Sequence, residues 1–215
     1  MTGDMKHSRR DFAKGTLLED QVPSDPCKLL EDWYQAAVGS GEVDANAMSL
    51  STLDEDGYPV SRIVLMRGLS TEGITFFTNY LSAKGRQLDR NPKAEVQFLW
   101  KALERQVRVR GRVERISSAE SDQYFASRPR DSQLGAWASP QSQFLASREE
   151  LEQRLEEQAN RFSGEASIPR PPHWGGFRLV PLDFEFWQGR PNRLHDRLKA
   201  FPKDSGSWIW RRLAP

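Results

Sequence analysis

RQVRVRGRVERI, residues 105–116, is the stretch of sequence that decides the fold class. Val107, Val109 and Val113 fall on one parity of this stretch, and Arg108 and Arg110 fall on the other. Because successive side chains of a β-strand point to opposite faces, the pattern predicts an antiparallel strand with one buried face and one solvated face. Such a strand needs neighbours that continue the sheet.

Strands of similar character are expected before and after this one. They are rich in β-branched and aromatic residues and are bounded by turns such as Asp54-Glu55-Asp56-Gly57. The predicted strands cover 47–53, 58–65, 74–78, 94–100, 105–116, 176–180, 183–188, 193–198 and 207–213. Many short antiparallel strands with helices inserted between them predict a mainly β fold with helical additions (α+β), arranged as a closed or nearly closed β-barrel.

Four helices are expected among the strands. The first has Asp25 as N-cap and Pro26 at its first position, and Gly39 ends it. Its buried face is expected to carry Leu29, Leu30, Trp33, Ala36 and Ala37. Two further helices cover 82–91 and about 117–127. The fourth opens with a capping box at Ser147–Glu150 and is expected to point inward with Leu151, Leu155 and Phe162.

Composition limits the class of protein. Of 215 residues, 37% are hydrophobic and 28% charged, and no apolar run approaches the ~20 residues that span a bilayer, so no membrane association is expected. A net charge of +1 argues against a general nucleic-acid binder. The polar N-terminus and the single cysteine, Cys27, favour a reducing compartment, and the cytoplasm is the expected location.

Domain organisation is expected to be simple. Residues 1–22 are polar and predict a flexible N-terminal segment that is a possible lid. Residues 23–215 carry neither a repeat nor a linker between domains, and a single domain is expected there.

Motifs for several common chemistries are missing from the sequence. There is no G-x-G-x-x-G after a strand, no Walker A loop, no H-E-x-x-H and no G-x-S-x-G. The three histidines are widely separated and there is one cysteine, so no metal site is predicted. A bound organic cofactor is the remaining economical route to difficult chemistry.

Arginine is locally dense at Arg105–Arg115 and again at Arg190, Arg193 and Arg197. The planar guanidinium fork suits phosphate and carboxylate groups. For the first cluster, a solvated strand face mixed with Glu104 and Glu114 is the favoured interpretation, and binding of nucleic acid is the alternative.

A series of stretches resembles the pyridoxine/pyridoxamine 5′-phosphate oxidase family, in family order from about Arg9 to Pro215. They are RIVLMRG (62–68), FFTNYLSAKGRQL (76–88), LERQVRVRG (103–111), YFASRPRDSQLGAW (124–137), SPQSQ (139–143), HWGGFRL (173–179), EFWQGRPNRLHDR (185–197) and RLAP (212–215). The resemblance implies an FMN-binding split β-barrel of antiparallel Greek-key type, which forms a homodimer with FMN at the subunit interface. The 23–215 domain would include the C-terminal dimerisation region.

The activity that the resemblance implies is oxidation of pyridoxamine 5′-phosphate or pyridoxine 5′-phosphate to pyridoxal 5′-phosphate. A hydride leaves the substrate C4′ for the flavin, and O₂ reoxidises the flavin and gives H₂O₂. Hydrolysis of the imine releases ammonia when the amine is the substrate.

The resemblance also assigns residues to FMN. Arg62 and Lys84 would hold its phosphate, with Thr78 as a hydroxyl donor, and the backbone from Ile63 to Leu65 would lie along the flavin. The complete set of implied FMN contacts is Arg62, Ile63, Val64, Leu65, Arg67, Phe77, Thr78, Lys84, Gln106, Gln141, Ser142, Trp187 and Arg197.

On the substrate side, Tyr124, Arg128 and Ser132 match the family's grip on the B6 phosphate. Tyr124 and Arg128 are one helical turn apart and could point to the same anion. Arg67 would also contact phosphate, and Arg9, with Phe12, matches a segment that folds over the substrate.

Arg193 and His195 are the predicted catalytic pair, and both would also bind substrate. If they lie in a strand, residues two apart share a face. They would flank the substrate ring opposite the flavin, where Arg193 would orient and polarise the ring substituents, and His195 would either hydrogen-bond them or assist proton movement. Asp196, on the other face, is expected to pair with a neighbouring cation.

The match departs from the family at three positions. Arg67 stands where many members have lysine, Ala83 where an arginine is common, and Phe77 where some members have tyrosine. Arg62 and Arg67 are an odd number of residues apart, so both can serve one site only if the strand ends or bulges between them. Two alternatives stay open: an FMN enzyme of this fold acting on another ring substrate, and a flavin- or pyridoxal-phosphate-binding protein without turnover.

Overall fold

The computed structural model describes residues 11–203 and 206–215. Arg9, assigned above to the substrate, lies outside the described residues. Contacts group the chain into two compact units, each built from separate segments. Unit 1 draws on Met1–Ser49, Glu95–Arg110 and Pro181–Pro215, and unit 2 on Leu50–Ala94 and Gly111–Val180. The single domain expected over 23–215 stays a prediction.

Within the described ranges, nine strands form the sheet. They are β1 (Ala47–Leu53), β2 (Pro59–Leu65), β3 (Gly68–Ser70), β4 (Gly73–Asn79), β5 (Lys93–Trp100), β6 (Arg105–Arg115), β7 (Trp174–Gln188), β8 (Asp196–Pro202) and β9 (Trp208–Arg212). Hydrogen bonds join them in the order β2-β1-β5-β6-β7-β4-β3, with β8 on β7 and β9 on β8. The β3–β4, β4–β7, β7–β8 and β8–β9 pairs are antiparallel. The predicted mainly β class is confirmed.

The part of the chain that the structure describes contains five α-helices: α1 (Pro26–Gly39), α2 (Ala83–Arg90), α3 (Ser118–Ala126), α4 (Arg130–Ala138) and α5 (Arg148–Arg161). Short 3₁₀ turns occupy Glu19–Gln21, Lys101–Leu103 and Pro191–Arg193. No helix within 11–203 or 206–215 is long and apolar enough to cross a membrane.

The strand pattern that opened the sequence analysis is confirmed in β6. Val107, Val109 and Val113 are buried, and the alternate positions are half-buried or exposed. The predicted break between 180 and 183 is wrong, because β7 continues through Pro181. The fixed φ of proline suits an extended strand, so Pro181 removes one backbone donor without ending the strand.

Two helix predictions need correction. Asp25 caps α1 by accepting the Cys27 N–H at 2.9 Å, as expected, but Ala36 is exposed and does not share the buried face. In α5, Leu155 is 41% exposed, and only Phe162, just beyond the helix, is fully inward. Because most residues of α5 are charged, its buried hydrophobic contacts come from its C-terminal end.

Helix α4 is absent from the sequence-based prediction. Its nine residues, RDSQLGAWA, include Gly135 and carry no clear apolar repeat, which is the signal that a helix prediction requires. Tertiary contacts stabilise α4 instead: Leu134 packs in a cluster with Phe125, Phe162 and Trp174. This cluster belongs to unit 2 and fixes α3 and α4 beside the start of β7.

Candidate functional site

A cavity of about 450 Å³ lies in unit 2. It is bordered by the end of β2, by β4, by the beginning of α2 and by α3, α4 and the loop that follows. The cavity brings together most of the unit 2 residues assigned from the sequence, namely Ile63, Val64, Leu65, Arg67, Phe77, Thr78, Lys84, Tyr124, Arg128, Ser132 and Gln141.

Three cations line the cavity: Arg67, Lys84 and Arg128. No acidic side chain is among the lining residues in the described part of the chain. Uncompensated cations in a concave site favour anionic ligands, because each anion replaces water around a charge that has no protein counter-ion. The cavity is therefore suited to phosphate groups.

Lys84 is one of the three cations that line the cavity. It lies in the first turn of α2, where Ser82 caps the helix by accepting the Gly85 N–H at 3.2 Å. A Cβ at residue 85 would lie 2.1 Å from the Tyr80 carbonyl oxygen, so only glycine lets the helix begin this close to the preceding turn. The sequence of this turn thus sets the position of Lys84.

The ammonium of Lys84 has only neutral partners in the described structure. Its Nζ donates to Thr78 Oγ1 at 3.3 Å and to Gln141 Oε1 at 3.4 Å. Burial lowers the pKa of Lys84, and the nearby charge of Arg62 lowers it further. A bound phosphate would oppose both effects by supplying the missing negative charge.

Arg62 lies near Lys84 and is not among the residues that line the cavity. Its guanidinium donates to Thr52 Oγ1, to the Leu50 carbonyl and, at 2.9 Å, to Gln87 Oε1. Burial lowers the pKa of Arg62. The structure therefore places Arg62 as a second cation next to Lys84, within a hydrogen-bonded frame from β1 and α2.

Arg67 reaches the cavity because the strand ends before it. β2 stops at Leu65, and the Arg67 N–H donates to the Thr75 carbonyl at 2.8 Å. The regular alternation that would separate Arg62 from Arg67 is interrupted there. The break in the strand that the odd spacing required is confirmed.

Arg128 is another of the cations that line the cavity. It follows α3, and its guanidinium carbon lies 4.5 Å from the centre of the Trp174 ring. Its Nη1 is buried and has no hydrogen-bond partner in the described structure. Burial is the main cause that lowers the pKa of Arg128, and the charge of Arg67 adds to it.

Tyr124 and Ser132 line the cavity together with Arg128. Tyr124 stacks on Phe77, with ring centroids 3.8 Å apart, and lies 6.0 Å below the Arg67 guanidinium. The prediction that Tyr124 and Arg128 share one helix is wrong, because α3 ends at Ala126 and Arg128 lies beyond it. Both side chains nevertheless line the same cavity, together with Ser132 in the first turn of α4.

Unit 1 holds a separate group of aromatic rings. Trp187 and His195 have ring centroids 4.7 Å apart, and Phe12 meets both edge-on, at 5.6 and 5.5 Å. The Arg190 N–H lies 3.1 Å from His195 Nδ1 and donates to it, so a neutral His195 ring carries its proton on Nε2.

The expectation that Arg193 and His195 share a strand face is wrong. Arg193 ends the 3₁₀ turn, and β8 begins only at Asp196. Asn192 and Arg193 have φ values of 56° and 62°, in the left-handed region that strand geometry excludes. The exposed Arg193 side chain makes no ion pair or hydrogen bond in the described structure. Asp196 pairs with Arg212 at 2.7 Å, as expected for that residue.

The remaining assigned residues are distributed over both units. In unit 1, Arg197 pairs with Glu185 at 2.7 Å, opposite Trp187 in the β7–β8 register, and Gln106 is half-buried on β6. In unit 2, Ser142 is exposed, with φ 69°, in the loop after α4.

Most of the dense arginine run is engaged with carboxylates. Arg108 bridges Glu95 at 2.7 Å and Glu185 at 3.4 Å, and Arg115 bridges Asp89 at 2.7 Å. Because these guanidinium groups have protein counter-ions, the run resembles an ordinary charged strand surface.

Some cavity residues were not assigned from the sequence: Asn79, Gly135, Ala136, Ser139 and Trp174. Trp174 lies within the HWGGFRL stretch, but a tryptophan at the start of a strand does not by itself indicate a binding site. Within the described residues, no group of three or more histidine, cysteine or acidic side chains could hold a metal ion.

Comparison with protein families gives two matches. Residues 39–162 match the family described as pyridoxamine 5′-phosphate oxidase. Residues 174–215 match the pyridoxine 5′-phosphate oxidase C-terminal dimerisation region. Together the two matches cover most of the chain.

Full-length relatives agree with these matches. The chain is 54% identical to a pyridoxine/pyridoxamine 5′-phosphate oxidase from Synechocystis, over 96% of each chain. It is 51% identical to a protein of the same name from Pseudomonas paraeruginosa, over 100% of each chain.

Solved structures confirm the fold. PhzG from Burkholderia lata, in complex with tetrahydrophenazine-1-carboxylic acid, superposes with a TM-score of 0.86 at 29% identity, over 94% of this chain and 100% of that one. A pyridoxamine 5′-phosphate oxidase-related, FMN-binding protein from Nostoc punctiforme gives a TM-score of 0.68 at 18% identity, with the same coverage. The predicted split barrel is thus the fold of the chain.

Proposed function

The chain belongs to the pyridoxamine 5′-phosphate oxidase family, and from this membership we propose that it oxidises pyridoxine 5′-phosphate and pyridoxamine 5′-phosphate to pyridoxal 5′-phosphate. FMN is the cofactor and O₂ the final electron acceptor. The substrate loses two electrons and two protons, and O₂ gains them as H₂O₂. With the amine, water hydrolyses the resulting imine and ammonia leaves.

The observation that carries the proposal is the cavity lined by three cations, with no acidic lining residue among those described. FMN and a B6 phosphate are both phosphorylated ring compounds, so a site for the pair needs two phosphate-binding groups. Lys84 and the nearby Arg62 form one group, and Arg67 and Arg128 form the other. The residues present fit the cofactor that the family implies.

In this proposal, Lys84, Thr78 and Arg62 hold the FMN phosphate, and residues 63–65 lie along the flavin. Gln106, Gln141, Ser142, Trp187 and Arg197 complete the cofactor contacts, together with Arg67 and Phe77. When bound, FMN supplies the acceptor for the two electrons that leave the substrate. The unpaired cations hold the two ligands in place, which is a large share of what a protein contributes to cofactor chemistry.

Arg128, Tyr124, Ser132 and Arg67 bind the substrate phosphate. Arg193 and His195 act on the substrate ring, Arg193 as an exposed cation that has no counter-ion among the described residues. His195 presents Nε2–H, because its Nδ1 accepts the Arg190 N–H. A hydrogen bond from Nε2 to a ring substituent would orient the substrate carbon that is oxidised.

The match over 174–215 to a dimerisation region supports a homodimer. The buried, single Cys27 is consistent with a reducing compartment, and we place the enzyme in the cytoplasm.

An aerobic assay tests the proposed function directly. Purified protein reconstituted with FMN is expected to convert pyridoxine 5′-phosphate to pyridoxal 5′-phosphate with one H₂O₂ per product. The amine substrate is expected to release ammonia as well. Yellow protein that yields neither H₂O₂ nor pyridoxal 5′-phosphate would contradict the proposed oxidase activity. The remaining functions would then be flavin binding without turnover or catalysis on another ring substrate.

Replacing Lys84 by methionine is expected to weaken FMN binding by about tenfold to a hundredfold, since charge-assisted hydrogen bonds contribute roughly 1.5–3 kcal/mol each. The thermal stability of the FMN-free protein should not fall, because the variant removes a buried charge that has only neutral partners. Quenching of flavin fluorescence on titration gives the Kd.

Lys93→Met is the matched control, since Lys93 is exposed at the start of β5. Its Kd for FMN should equal that of the unmodified protein. Equal Kd values for the Lys84 and Lys93 variants would show that Lys84 does not hold the cofactor.

A further inference from the structure

Glu104 is a buried carboxylate in the hairpin between β5 and β6, with 4% of its surface exposed. It follows the 3₁₀ turn Lys101–Leu103 and has a left-handed φ of 57°. Its Oε2 accepts the N–H of Ala13 at 2.9 Å and the N–H of Lys14 at 3.1 Å. Two successive backbone amides on one carboxylate oxygen form a charge-assisted grip on the N-terminal segment.

The grip lies next to Phe12, whose ring meets Trp187 and His195 edge-on. Gly189 makes room for this ring, since a Cβ at residue 189 would lie 2.8 Å from three Phe12 side-chain atoms. The Gly189 N–H donates to the Glu104 carbonyl at 2.8 Å. The Glu104 side chain therefore holds the segment that carries Phe12. The Glu104 backbone holds the chain at the end of β7, against which Phe12 packs.

The chain after Lys14 has its own attachments. Arg190 Nη1 donates to the Gly15 carbonyl at 3.1 Å, and the Leu17 N–H donates to Asp196 Oδ2 at 3.1 Å. Arg212 Nη2 donates to the Leu17 carbonyl at 2.9 Å. Lys14 Nζ also donates to the Ala102 carbonyl at 2.7 Å. Loss of the Glu104 carboxylate would therefore free the backbone N–H groups of Ala13 and Lys14, and leave this side-chain contact and the attachments from Gly15 onward in place.

We propose that Glu104 is a positioning residue that acts through Phe12 to fix the Trp187–His195 ring pair. The inference rests on the proposed function, which assigns Trp187 to the flavin and His195 to the substrate. Phe12 covers the two rings on one side, and the Glu104 carboxylate holds the backbone next to it. Without the carboxylate, Phe12 would be held less firmly, and the two rings would be less firmly fixed in turn.

The test compares Glu104→Ala and Glu104→Gln in the FMN-loaded, full-length protein. Both replacements carry a Cβ, so the left-handed backbone at residue 104 costs the same in all three proteins. Glu104→Ala is expected to speed tryptic cleavage between Lys14 and Gly15 about tenfold and to lower kcat/KM for pyridoxine 5′-phosphate about tenfold, since it loses charge-assisted hydrogen bonds. Glu104→Gln should fall between, because it keeps an acceptor oxygen but not the charge.

A double variant separates positioning from a general structural effect. If Glu104 acts through Phe12, Glu104→Ala combined with Phe12→Ala should have the same kcat/KM as Phe12→Ala alone. Additive losses would overturn the proposal, as would an unchanged rate of cleavage after Lys14.

Glu42→Ala is the matched control, because the Glu42 carboxylate accepts the Ala102 N–H of this hairpin at 3.2 Å. The variant keeps the Ala102 carbonyl that accepts Lys14 Nζ, and it removes no bond to the backbone of residues 13 or 14. It should change neither cleavage nor kcat/KM, and a matching loss in both would overturn the proposal. The cleavage assay needs no turnover. If the unmodified protein failed to oxidise pyridoxine 5′-phosphate, the oxidase would fail, while cleavage in Glu104→Ala would still decide the role of Glu104.

Discussion

Replacing Arg128 by alanine is expected to raise KM for pyridoxine 5′-phosphate about a hundredfold and to leave the free energy of unfolding within about 1 kcal/mol of the original. Two charge-assisted hydrogen bonds to a phosphate contribute roughly 3 kcal/mol, which corresponds to about a hundredfold in affinity. Stability should not suffer, because Nη1 is buried without a partner in the described structure and its desolvation offsets the contact with the Trp174 ring. Steady-state kinetics and thermal unfolding without ligand measure the two effects.

Arg130 provides the matched control two residues further on. Its guanidinium donates to the Phe162 carbonyl at 2.6 Å and to the Glu165 carbonyl at 3.1 Å, so it joins the start of α4 to the end of α5. Arg130→Ala should lower the free energy of unfolding by about 1–3 kcal/mol and leave KM unchanged. The assignment of Arg128 to substrate would be wrong if both variants lost stability equally and neither changed KM.

Replacing Arg193 by alanine is expected to lower kcat about a hundredfold to a thousandfold, the usual loss when one group that stabilises developing charge is removed. FMN affinity and stability should hardly change, since the exposed Arg193 side chain makes no ion pair or hydrogen bond among the described residues. Turnover at saturating substrate and FMN titration distinguish the two quantities.

Arg62→Ala is expected to give the opposite result. FMN binding should weaken about tenfold or more, while kcat at saturating FMN is largely kept. Stability should also fall, because Thr52 and Gln87 lose their bonds to the guanidinium. If Arg62→Ala instead reduced kcat and Arg193→Ala reduced FMN binding, the two roles would have to be exchanged.

Local patterns predicted the β elements well, for a physical reason. Alternation in β6 follows from burial of one face, and the N-cap at Asp25 follows from the unpaired amides of a helix start. Both are decided within a few residues. Helix α4 had no such local pattern, since Gly135 interrupts it and the cluster around Leu134 stabilises it.

The candidate site depended on resemblance more than on spacing. Arg67 and Arg128 are 61 positions apart, and no periodicity indicates that they line one cavity. The resemblance named both, together with Lys84. Spacing alone was used to place Arg193 and His195 on one strand face, and that prediction failed. Two consecutive residues with left-handed φ interrupt the strand there, and the alternation of residues in the sequence gives no sign of them.

Glu104 is a further residue whose contacts could not be predicted from spacing in the sequence. Its partners, Ala13 and Lys14, are 91 and 90 positions away, and a glutamate beside a strand of arginines suggested only surface charge. Burial of the carboxylate and its two amide donors became visible only in three dimensions.

The attachment of Leu17 to Asp196 and Arg212 has a consequence for the order in which the protein is made. A ribosome adds about 5–20 residues per second, so the partners of Leu17 emerge roughly ten seconds or more after it does. Until then the segment that carries Phe12 lacks these attachments, and unit 1 lacks its last strands. Phe12 can therefore cover the ring pair only late in the synthesis of each chain, after all residues of unit 2 have been added.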